Sequence, residues 1–217
     1  MKSMRKSIKM AVFAGAACAC MAGAGMSVKA ADKVAINEKN FAPAVMEYAQ
    51  NADTNEDGFL SSKEASKVKK MRFDTRQYID SFQGVKYFTG LKKFIYEVAE
   101  YQQDMTAAPD LDLSGMDKLE KVTIYSESMH IGTINLQDCT NLQQLALIPD
   151  SEHMIYVDGI NLRGCTNLDS FICGGQTDQI DLSGLKKLED VMFTGETETL
   201  NLDRCSKLKN IYIISDT

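Results

Sequence analysis

The sequence of 217 residues has no tryptophan, three prolines and two histidines. The scarcity of proline argues against a disordered or proline-rich chain. The chain has no G-x-S-x-G, H-E-x-x-H, P-loop or G-x-G-x-x-G pattern, and no cysteine–histidine spacing typical of zinc. Its histidines, His130 and His153, fall in stretches of variable length and are predicted to be loop residues. These absences predict a protein that is not an enzyme; an acid pair facing a cleft would be the remaining sign of catalysis.

Positive charge is concentrated in the first thirty residues, which hold five basic residues and no acidic residue. This basic start, the apolar run Met10–Met26 and the small residues of Val28–Ala30 are typical of a secretory signal peptide at residues 1–30. The alternative is a membrane anchor, for which a run of about 17 residues is short against ~30 Å of hydrocarbon.

Removal of these five positive charges changes the formal net charge from −6 to −11. Such an acidic protein lacks the basic surface that nucleic acids and anionic lipid head groups need in a partner. The remaining chain has no second long apolar run, so no membrane insertion is expected after processing. We therefore expect a secreted or cell-surface protein.

An internal repeat is the strongest feature of the sequence. One motif has the form apolar-x-x-apolar-x-apolar, with a weaker early copy at Leu91–Tyr96. Its other copies are Leu119–Ile124, Leu142–Leu147, Leu168–Cys173, Leu188–Phe193 and Leu208–Ile213. A second motif, apolar-x-Leu, begins eight residues before each of these copies, at Leu111, Ile134, Ile160, Ile180 and Leu200.

The spacing of the two motifs predicts how the chain is coiled. The step from the second motif to the next first motif is always eight residues, whereas the step back varies from 12 to 20. Stacked coils produce this pattern, because buried positions tolerate no insertion while one rim can bulge into solvent. The two period-2 stretches in each coil predict strands on two sides. We predict an α+β fold with a β-rich solenoid of about five coils at residues 81–217.

The segments Ile131–Cys139 and Val157–Cys165, with the string LDLSG at Leu111–Gly115, resemble exported bacterial leucine-rich-repeat proteins, loosely the internalins. The resemblance covers residues 78–217 and implies a leucine-rich-repeat solenoid, although a shared fold says little about the ligand. After the Leu-x-x-apolar-x-apolar strands, the usual asparagine is replaced, so an asparagine ladder is not assured there. These positions hold Glu127, Asp150, Gln176, Glu196 and Asp216.

Four cysteines follow the predicted signal peptide, and an even number in an exported protein invites a disulfide interpretation. However, Cys139, Cys165 and Cys205 share their repeat position with Met116 and Leu185. Cys173 likewise shares its position with isoleucine, leucine and phenylalanine. Positions of this kind point into the core, where a free cysteine behaves as a small hydrophobic residue. We expect four buried thiols; a Cys139–Cys165 bridge is the main alternative.

Residues 53–64 match the EF-hand loop pattern D-x-N-x-D-G with glutamate at position 12. Hard oxygen ligands suit Ca²⁺, and Gly58 permits the sharp turn at position 6. The predicted ligands are Asp53, Asn55, Asp57, the backbone carbonyl of Phe59, Ser61 through a water molecule, and Glu64. Leu60 should form a short β contact. An exit helix is predicted at Glu64–Met71, and the alternative for the whole segment is a solvated acidic turn.

The calcium loop also resembles half of a type I dockerin, but residues 104–118 provide no second copy. We predict that residues 31–80 form a helical EF-hand-like cap on the N-terminal end of the solenoid, because an open first coil would expose core. A single loop without a partner loop implies modest calcium affinity.

Two outward rows of side chains suggest how the solenoid functions. The row Asp112, Asn135, Asn161, Asp181 and Asn201 is polar and is predicted to be solvated. The row Ile95, Thr123, Ala146, Ile172, Met192 and Tyr212 is largely apolar. Such a row is a candidate contact surface for a protein or cell-surface ligand, with Ile172, Met192 and Tyr212 as the predicted binding residues. The alternative is that inserts such as residues 149–159 cover it.

A structural or assembly role is the second function class. The last predicted strand, Ile211–Ile214, lies close to the end of the sequence and no polar cap follows it. Its edge would be open to pairing with another chain, so self-association through this C-terminal edge is the expectation for this class. A measurement of mass against concentration would distinguish a monomeric binder from an assembling protein.

Overall fold

A computed structural model of the chain describes residues 33–75, 79–98, 108–126, 129–150 and 154–214. The predicted signal peptide at residues 1–30, like His153, Glu127 and Asp216, lies outside these residues. Residues 31–217 form one compact unit. Among the described residues, no helix has the length and apolar character needed to cross a membrane.

The N-terminal part contains two short strands and two helices, in the order β1 (Lys33–Ala35), α1 (Pro43–Ala52), β2 (Phe59–Ser61) and α2 (Ser62–Ala65). Pro43 begins α1, where its fixed φ suits the first helical turn. Val45, Ala49 and Ala52 lie on one face of α1 and are buried. A capping box between Ser61 and Glu64 fixes the start of α2.

The predicted exit helix at Glu64–Met71 is wrong. Helix α2 ends at Ala65, and Met71 lies in a strand, Lys70–Thr75, that pairs in parallel with Lys93–Val98. Val68, Met71 and Phe73 repeat the apolar-x-x-apolar-x-apolar spacing of the solenoid. Pairing with the neighbouring coil therefore overrides the helical propensity of this short segment.

The remaining strands follow one another around the solenoid. In chain order they are β3 (Lys70–Thr75), β4 (Lys93–Val98), β5 (Leu111–Asp112), β6 (Lys121–Ser126), β7 (Met129–Asn135), β8 (Gln144–Pro149), β9 (Ile155–Asn161), β10 (Ser170–Cys173), β11 (Gly175–Gln176), β12 (Gln179–Asp181), β13 (Asp190–Thr194), β14 (Thr199–Asn201) and β15 (Asn210–Ile214). One side is a seven-stranded parallel sheet in the order β15-β13-β10-β8-β6-β4-β3. The other side carries the sheet β11-β9-β7-β5 and the pair β12-β14.

The prediction of a β-solenoid with strands on two sides is therefore confirmed. The solenoid has about six turns, against about five predicted: β4 is the weaker early copy of the repeat, and β3 adds a strand outside the predicted range. The repeat motifs align in register across the sheet, so that Val122, Leu145, Phe171 and Val191 occupy one inward column. Each of these side chains is at most 2% exposed. The core thus consists of apolar columns that run from coil to coil.

The described residues 129–133 and 155–159, which precede two of the apolar-x-Leu motifs, are strands. His130 lies in β7, opposite Tyr156 of β9, so the prediction that it is a loop residue is wrong. Each insert lengthens a strand of the second sheet, where a parallel neighbour satisfies its backbone. Residues 155–159, which were an alternative cover for the outward row, belong to β9 on the opposite side of the solenoid.

Candidate calcium site and binding faces

The predicted calcium loop connects α1 to α2 beside the N-terminal strand β1. Strand β2 pairs with β1 in antiparallel fashion, and Leu60 lies opposite Val34. Leu60 is 2% exposed, so the predicted β contact at position 8 is confirmed. The amide of Ile36 donates to the carbonyl of Gly58 at 3.0 Å. Because antiparallel pairing alternates, the carbonyl of Phe59 faces away from β1 and into the loop, as a ligand at position 7 requires.

The first half of the loop is folded around the carboxylate of Asp53. Its two oxygens accept the amides of Asp57 at 3.3 Å and Gly58 at 2.9 Å. Asn55 Oδ1 also accepts the amide of Asp57, at 3.1 Å. Gly58 has φ +78°, a left-handed conformation that other residues adopt only with strain. The predicted ligands at positions 1, 3 and 5 are thus brought together by a tight turn.

Glu64 closes the second half of the loop. It is 4% exposed; its Oε1 accepts the amide and hydroxyl of Thr54, and its Oε2 accepts the amide and hydroxyl of Ser61, at 2.6–3.1 Å. These bonds, those from Ser61 first, lower the pKa of Glu64 to about 2. The carboxylate therefore remains charged and links position 2 of the loop to position 9.

A lysine that the sequence analysis did not single out lies at the loop. Lys33, in β1, forms an ion pair with Asp57 Oδ2. The hydrogen bond and charge of Asp57 raise the pKa of Lys33, with smaller contributions from Glu64 and Asp53. The same bond lowers the pKa of Asp57. A cationic group from the chain thus lies next to the carboxylates of the predicted site.

The donor set fits calcium in its chemistry. Hard oxygens are present at positions 1, 3, 5 and 12 of the loop. Gly58 has the left-handed backbone conformation of the sharp turn at position 6. In the described residues, no three His, Cys, Asp or Glu side chains are already arranged to hold a metal ion. The reason is visible in the loop: Glu64 bonds Thr54 and Ser61, and Asp57 bonds Lys33.

The predicted apolar outward row changes in exposure along the solenoid. Thr123 and Ala146, in the middle coils, are each 2% exposed, so this part of the row is not a free surface. Ile172 is half-buried, whereas Met192 and Tyr212 are 43% and 52% exposed. The three predicted binding residues lie on adjacent strands, since Ile172 pairs with Met192 and Met192 with Tyr212. The most exposed part of the apolar row therefore lies in the C-terminal coils, whereas Ile95, near the N-terminal end, is half-buried like Ile172.

A groove borders this exposed row. It has a volume of about 390 Å³ and is lined mainly by apolar side chains, among them Ile148, Met154, Ile172, Met192 and Ile214. Pro149 and Gly174 form part of its floor, and a side chain at position 174 would collide with Pro149. The groove and the row together form one continuous apolar surface, which we call the C-terminal apolar face.

A larger cavity of about 650 Å³ lies on the opposite sheet. It is lined by His130, Tyr156, Val157, Asp158, Gln176, Thr177 and Asp178. His130 Nε2 and Asp158 Oδ1 are 2.7 Å apart, and Tyr156 is 38% exposed. This cavity brings two aspartates to one cleft, and its described lining contains no serine or cysteine.

The polar row is exposed at Asp112, Asp181 and Asn201, as predicted, and half-buried at Asn135 and Asn161. Its first three members form a hydrogen-bonded ladder. Asn135 donates to Asp112 at 3.1 Å, and Asn161 donates to Asn135 at 3.0 Å. Each member also accepts the amide two residues later and so fixes the turn that follows its strand. These pairs are Asp112–Ser114, Asn135–Gln137, Asn161–Arg163, Asp181–Ser183 and Asn201–Asp203. An Asp or Asn at this position in every coil is the sequence signal for such turns.

The four cysteines that the structure describes are free thiols. Cys139, Cys165 and Cys173 are buried as predicted, whereas Cys205 is only half-buried. Three thiols also donate hydrogen bonds to a leucine carbonyl of the preceding coil, at 3.0–3.1 Å: Cys139 to Leu113, Cys165 to Leu136 and Cys205 to Leu182. These cysteines therefore satisfy backbone carbonyls as well as filling the core.

Comparisons with known proteins do not extend this description. No protein-family model and no curated protein matches the chain. The functional argument therefore depends on the residues and geometry described above.

Proposed function

We propose that the protein is an exported, non-catalytic binding protein of the leucine-rich-repeat type, with a calcium ion that stabilises its N-terminal cap. The C-terminal apolar face would contact a protein or cell-surface ligand. One observation carries this proposal: Met192 and Tyr212 are 43% and 52% exposed beside an apolar groove. A continuous exposed apolar surface on an otherwise well-packed protein favours an interaction site.

Several features support a binding protein over an enzyme. The repeated columns give a rigid support on which the exposed row is held by strand pairing. The cavity on the opposite sheet does bring Asp158 and Asp178 to one cleft, which is the arrangement that would favour an enzyme, but Asp158 is bonded to His130 at 2.7 Å and the described lining offers no serine or cysteine nucleophile. Export is proposed from the basic and apolar pattern of residues 1–30.

The calcium proposal rests on the donor types and the turn of the loop. Asp53, Asn55, Asp57, the carbonyl of Phe59, Ser61 through water, and Glu64 would hold the ion. The ion would replace the ammonium of Lys33 at Asp57 and release Glu64 from Thr54 and Ser61. Its role would be to offset the repulsion between three carboxylates in one loop.

A selection from a library of displayed peptides tests the binding face. Peptides are selected on the exported protein and then measured against Met192→Glu and Asp181→Lys. The first substitution places a charge on the apolar face, and the second is a control on the opposite sheet, where Asp181 is exposed. We expect loss of binding for Met192→Glu only, with melting temperatures close to that of the wild type. Selected peptides that bind both variants equally well would refute the assignment of the face.

A further inference from the structure

The last coil exposes residues that other coils bury. Ile211, Tyr212, Ile213 and Ile214 of β15 are 47–53% exposed. Ile211 and Ile213 occupy the inward columns of Val191 and Phe193, which are 2% and 1% exposed. Strand β15 is the end strand of the seven-stranded sheet, and in the described residues nothing pairs with its outer side.

The second side of this coil is open in the same way. Leu200, Leu202, Cys205 and Leu208 are half-buried, whereas their equivalents in the preceding coil are at most 7% exposed. These equivalents are Ile180, Leu182, Leu185 and Leu188. The end of the solenoid, which we call the end face, is therefore a cross-section of the apolar core bordered by the edges of β14 and β15.

The two ends of the rim of the end face differ in net charge. The turn between β14 and β15 carries three basic residues, Arg204, Lys207 and Lys209, and one acidic residue, Asp203, whereas the connection between β13 and β14 carries Glu196 and Glu198. All six side chains are exposed. The basic turn lies at the start of β15, directly before Asn210. The acidic connection lies at the other end, where the amide of Gly195 bonds the carbonyl of Ile214 at 3.0 Å.

We propose that two copies of this chain associate through their end faces, about a two-fold axis perpendicular to the seven-stranded sheet. This rotation reverses the direction of β15 and places the basic turn of each copy over the acidic connection of the other. Both sheets and the core then continue across the interface, since the rotation keeps each sheet on its own side. The rim charges are thus complementary to those of a second copy.

Side-chain alternation fixes the register of the pairing. In an antiparallel pair, Ile211 and Ile213 remain inward only if each lies opposite an inward residue of the partner strand. The register that also pairs the full length Asn210–Ile214 places Tyr212 opposite Tyr212, and Ile211 opposite Ile213. Self-complementarity of this kind favours a second copy over an unrelated partner.

The N-terminal end explains why the association stops at two copies. The outer edge of β3 is covered by Tyr48 of α1, whose hydroxyl bonds the amide and the carbonyl of Arg72, each at 2.7 Å. A second copy could not extend the sheet there, so head-to-tail stacking into a fibre is blocked. The dimer does not depend on the proposed binding function, because the groove lies on the outward face of the sheet.

Sedimentation velocity of the exported protein between about 1 and 100 µM tests the proposal. We expect a monomer–dimer equilibrium and no larger species. Arg204→Glu and Glu198→Arg should each raise the dissociation constant by at least about tenfold, because each brings like charges together twice in a symmetric dimer. The double variant should recover most of the affinity. Glu38→Arg, an equal charge change at the N-terminal end, should have no effect.

Two further measurements report on the pairing itself. Tyr212→Cys should form a covalent dimer under oxidation, since only an isologous pair brings this position next to itself. The β15 amides that point away from β13 should become protected from hydrogen exchange as the dimer forms, whereas the alternate amides, such as that of Asn210, already bond the preceding coil. A monomer at all concentrations, growth beyond the dimer, no recovery in the double variant, or outward β15 amides already protected in the monomer would each overturn the proposal.

Discussion

The two ends of the seven-stranded sheet have edge strands with apolar residues in the same inward columns but different surroundings. At the N-terminal end, Tyr48 bonds the backbone of Arg72, and aromatic rings join α1 to the first coils. Tyr48 packs on Phe73, Phe73 on Phe82, and Phe82 on Tyr96, with ring centroids 5.1–5.8 Å apart. At the C-terminal end, β15 has apolar side chains in the same columns, and none of the residues that the structure describes covers its outer edge.

This difference shows that burial in the solenoid depends on neighbouring coils as well as on sequence. Ile124 and Ile213 are the same residue type at the same repeat position. Ile124 lies between two coils and is 0% exposed, whereas Ile213 has a neighbour on one side and is 49% exposed. In a stacked structure each coil is stabilised by the coils that contact it, so equal residues contribute unequally to the free energy of unfolding.

The largest expected effect compares these two isoleucines directly. Ile124→Ala should lower the free energy of unfolding by about 2–5 kcal/mol, because it leaves a cavity in the closed core. Ile213→Ala should cost less than about half of that, because its side chain already contacts water. Chemical denaturation at submicromolar concentration, where the proposed dimer dissociates, measures both. Equal losses would mean that the end coil is covered in the monomer.

The sequence predicts the inward columns well, because the period of the apolar residues directly reflects which side chains face the core. It fails at β3 for a physical reason. Val68, Met71 and Phe73 have the repeat spacing, but the three basic residues among them and the preceding EF-hand pattern are also compatible with a helix. The parallel pairing with β4 favours the strand over the helix, and this contact cannot be read from the local sequence.

The candidate site could likewise be predicted in part. The ligand types, the turn at Gly58 and the β contact of Leu60 follow from the loop pattern. Lys33 could not be found in this way, since it reaches Asp57 through the pairing of β1 with β2, twenty-four residues away along the chain. The covering of Thr123 and Ala146 depends on long-range packing, so the outward row is shorter than its sequence suggests.

Tyr48→Phe tests the closure of the N-terminal edge. The substitution removes the hydroxyl that serves both the amide and the carbonyl of Arg72, and should cost about 1–2 kcal/mol. Tyr125→Phe is a suitable control, because Tyr125 is 39% exposed on the same sheet. We expect urea denaturation to separate the two variants, and faster hydrogen exchange in β3 of Tyr48→Phe only. If both variants unfold like the wild type, water replaces the hydroxyl without loss.

Calcium should make a smaller contribution to the stability of the N-terminal cap. A single loop without a partner loop should have a dissociation constant of roughly 10⁻⁴–10⁻³ M. At about 1 mM calcium this corresponds to ~0.4–1.4 kcal/mol, enough to order the cap but not to fold the solenoid. Chelation should therefore lower the melting temperature by a few degrees and expose residues 41–72 to protease.

Two substitutions in the loop isolate the calcium contribution. Glu64→Gln should remove the calcium dependence, because it deletes the charge of the predicted position-12 ligand. Glu56→Gln makes the same chemical change at an exposed position outside the ligand set, and should retain the calcium dependence. Calorimetry that detects no binding at millimolar calcium, or a Glu64→Gln variant that still responds to calcium, would contradict the proposed site.

The low pKa of Glu64 predicts an acid effect confined to the cap. Because folding lowers this pKa to about 2, the carboxylate stabilises the calcium-free cap fully above its ordinary value of 4.5, and this contribution is lost as the pH falls towards 2. Hydrogen-exchange protection of residues 54–64, measured relative to the intrinsic rate at each pH, should fall over this window in the wild type. In Glu64→Gln this acid step should be absent, and a similar fall in the variant would assign the effect to other carboxylates.

The smallest effect concerns chemical reactivity, and it sharpens the contrast between the closed coils and the end face. Burial raises the pKa of Cys139 to about 11 and those of Cys165 and Cys173 to about 12. The thiolate is the reactive form, so alkylation near pH 8 should be slower than for a free thiol by about two to three orders of magnitude.

Cys205, half-buried in the last coil, should react first in the native protein, and all four cysteines should react after denaturation without a reductant. Raising the protein concentration should slow the reaction of Cys205 alone, because the proposed dimer covers it while the inner thiols are already covered by neighbouring coils. Mass spectrometry of the labelled peptides measures these rates. Equal rates for Cys205 and Cys173 at low concentration would show that the last coil is as closed as the others. A mass that is lower by one pair of hydrogens, and that a reductant restores, would instead reveal a disulfide.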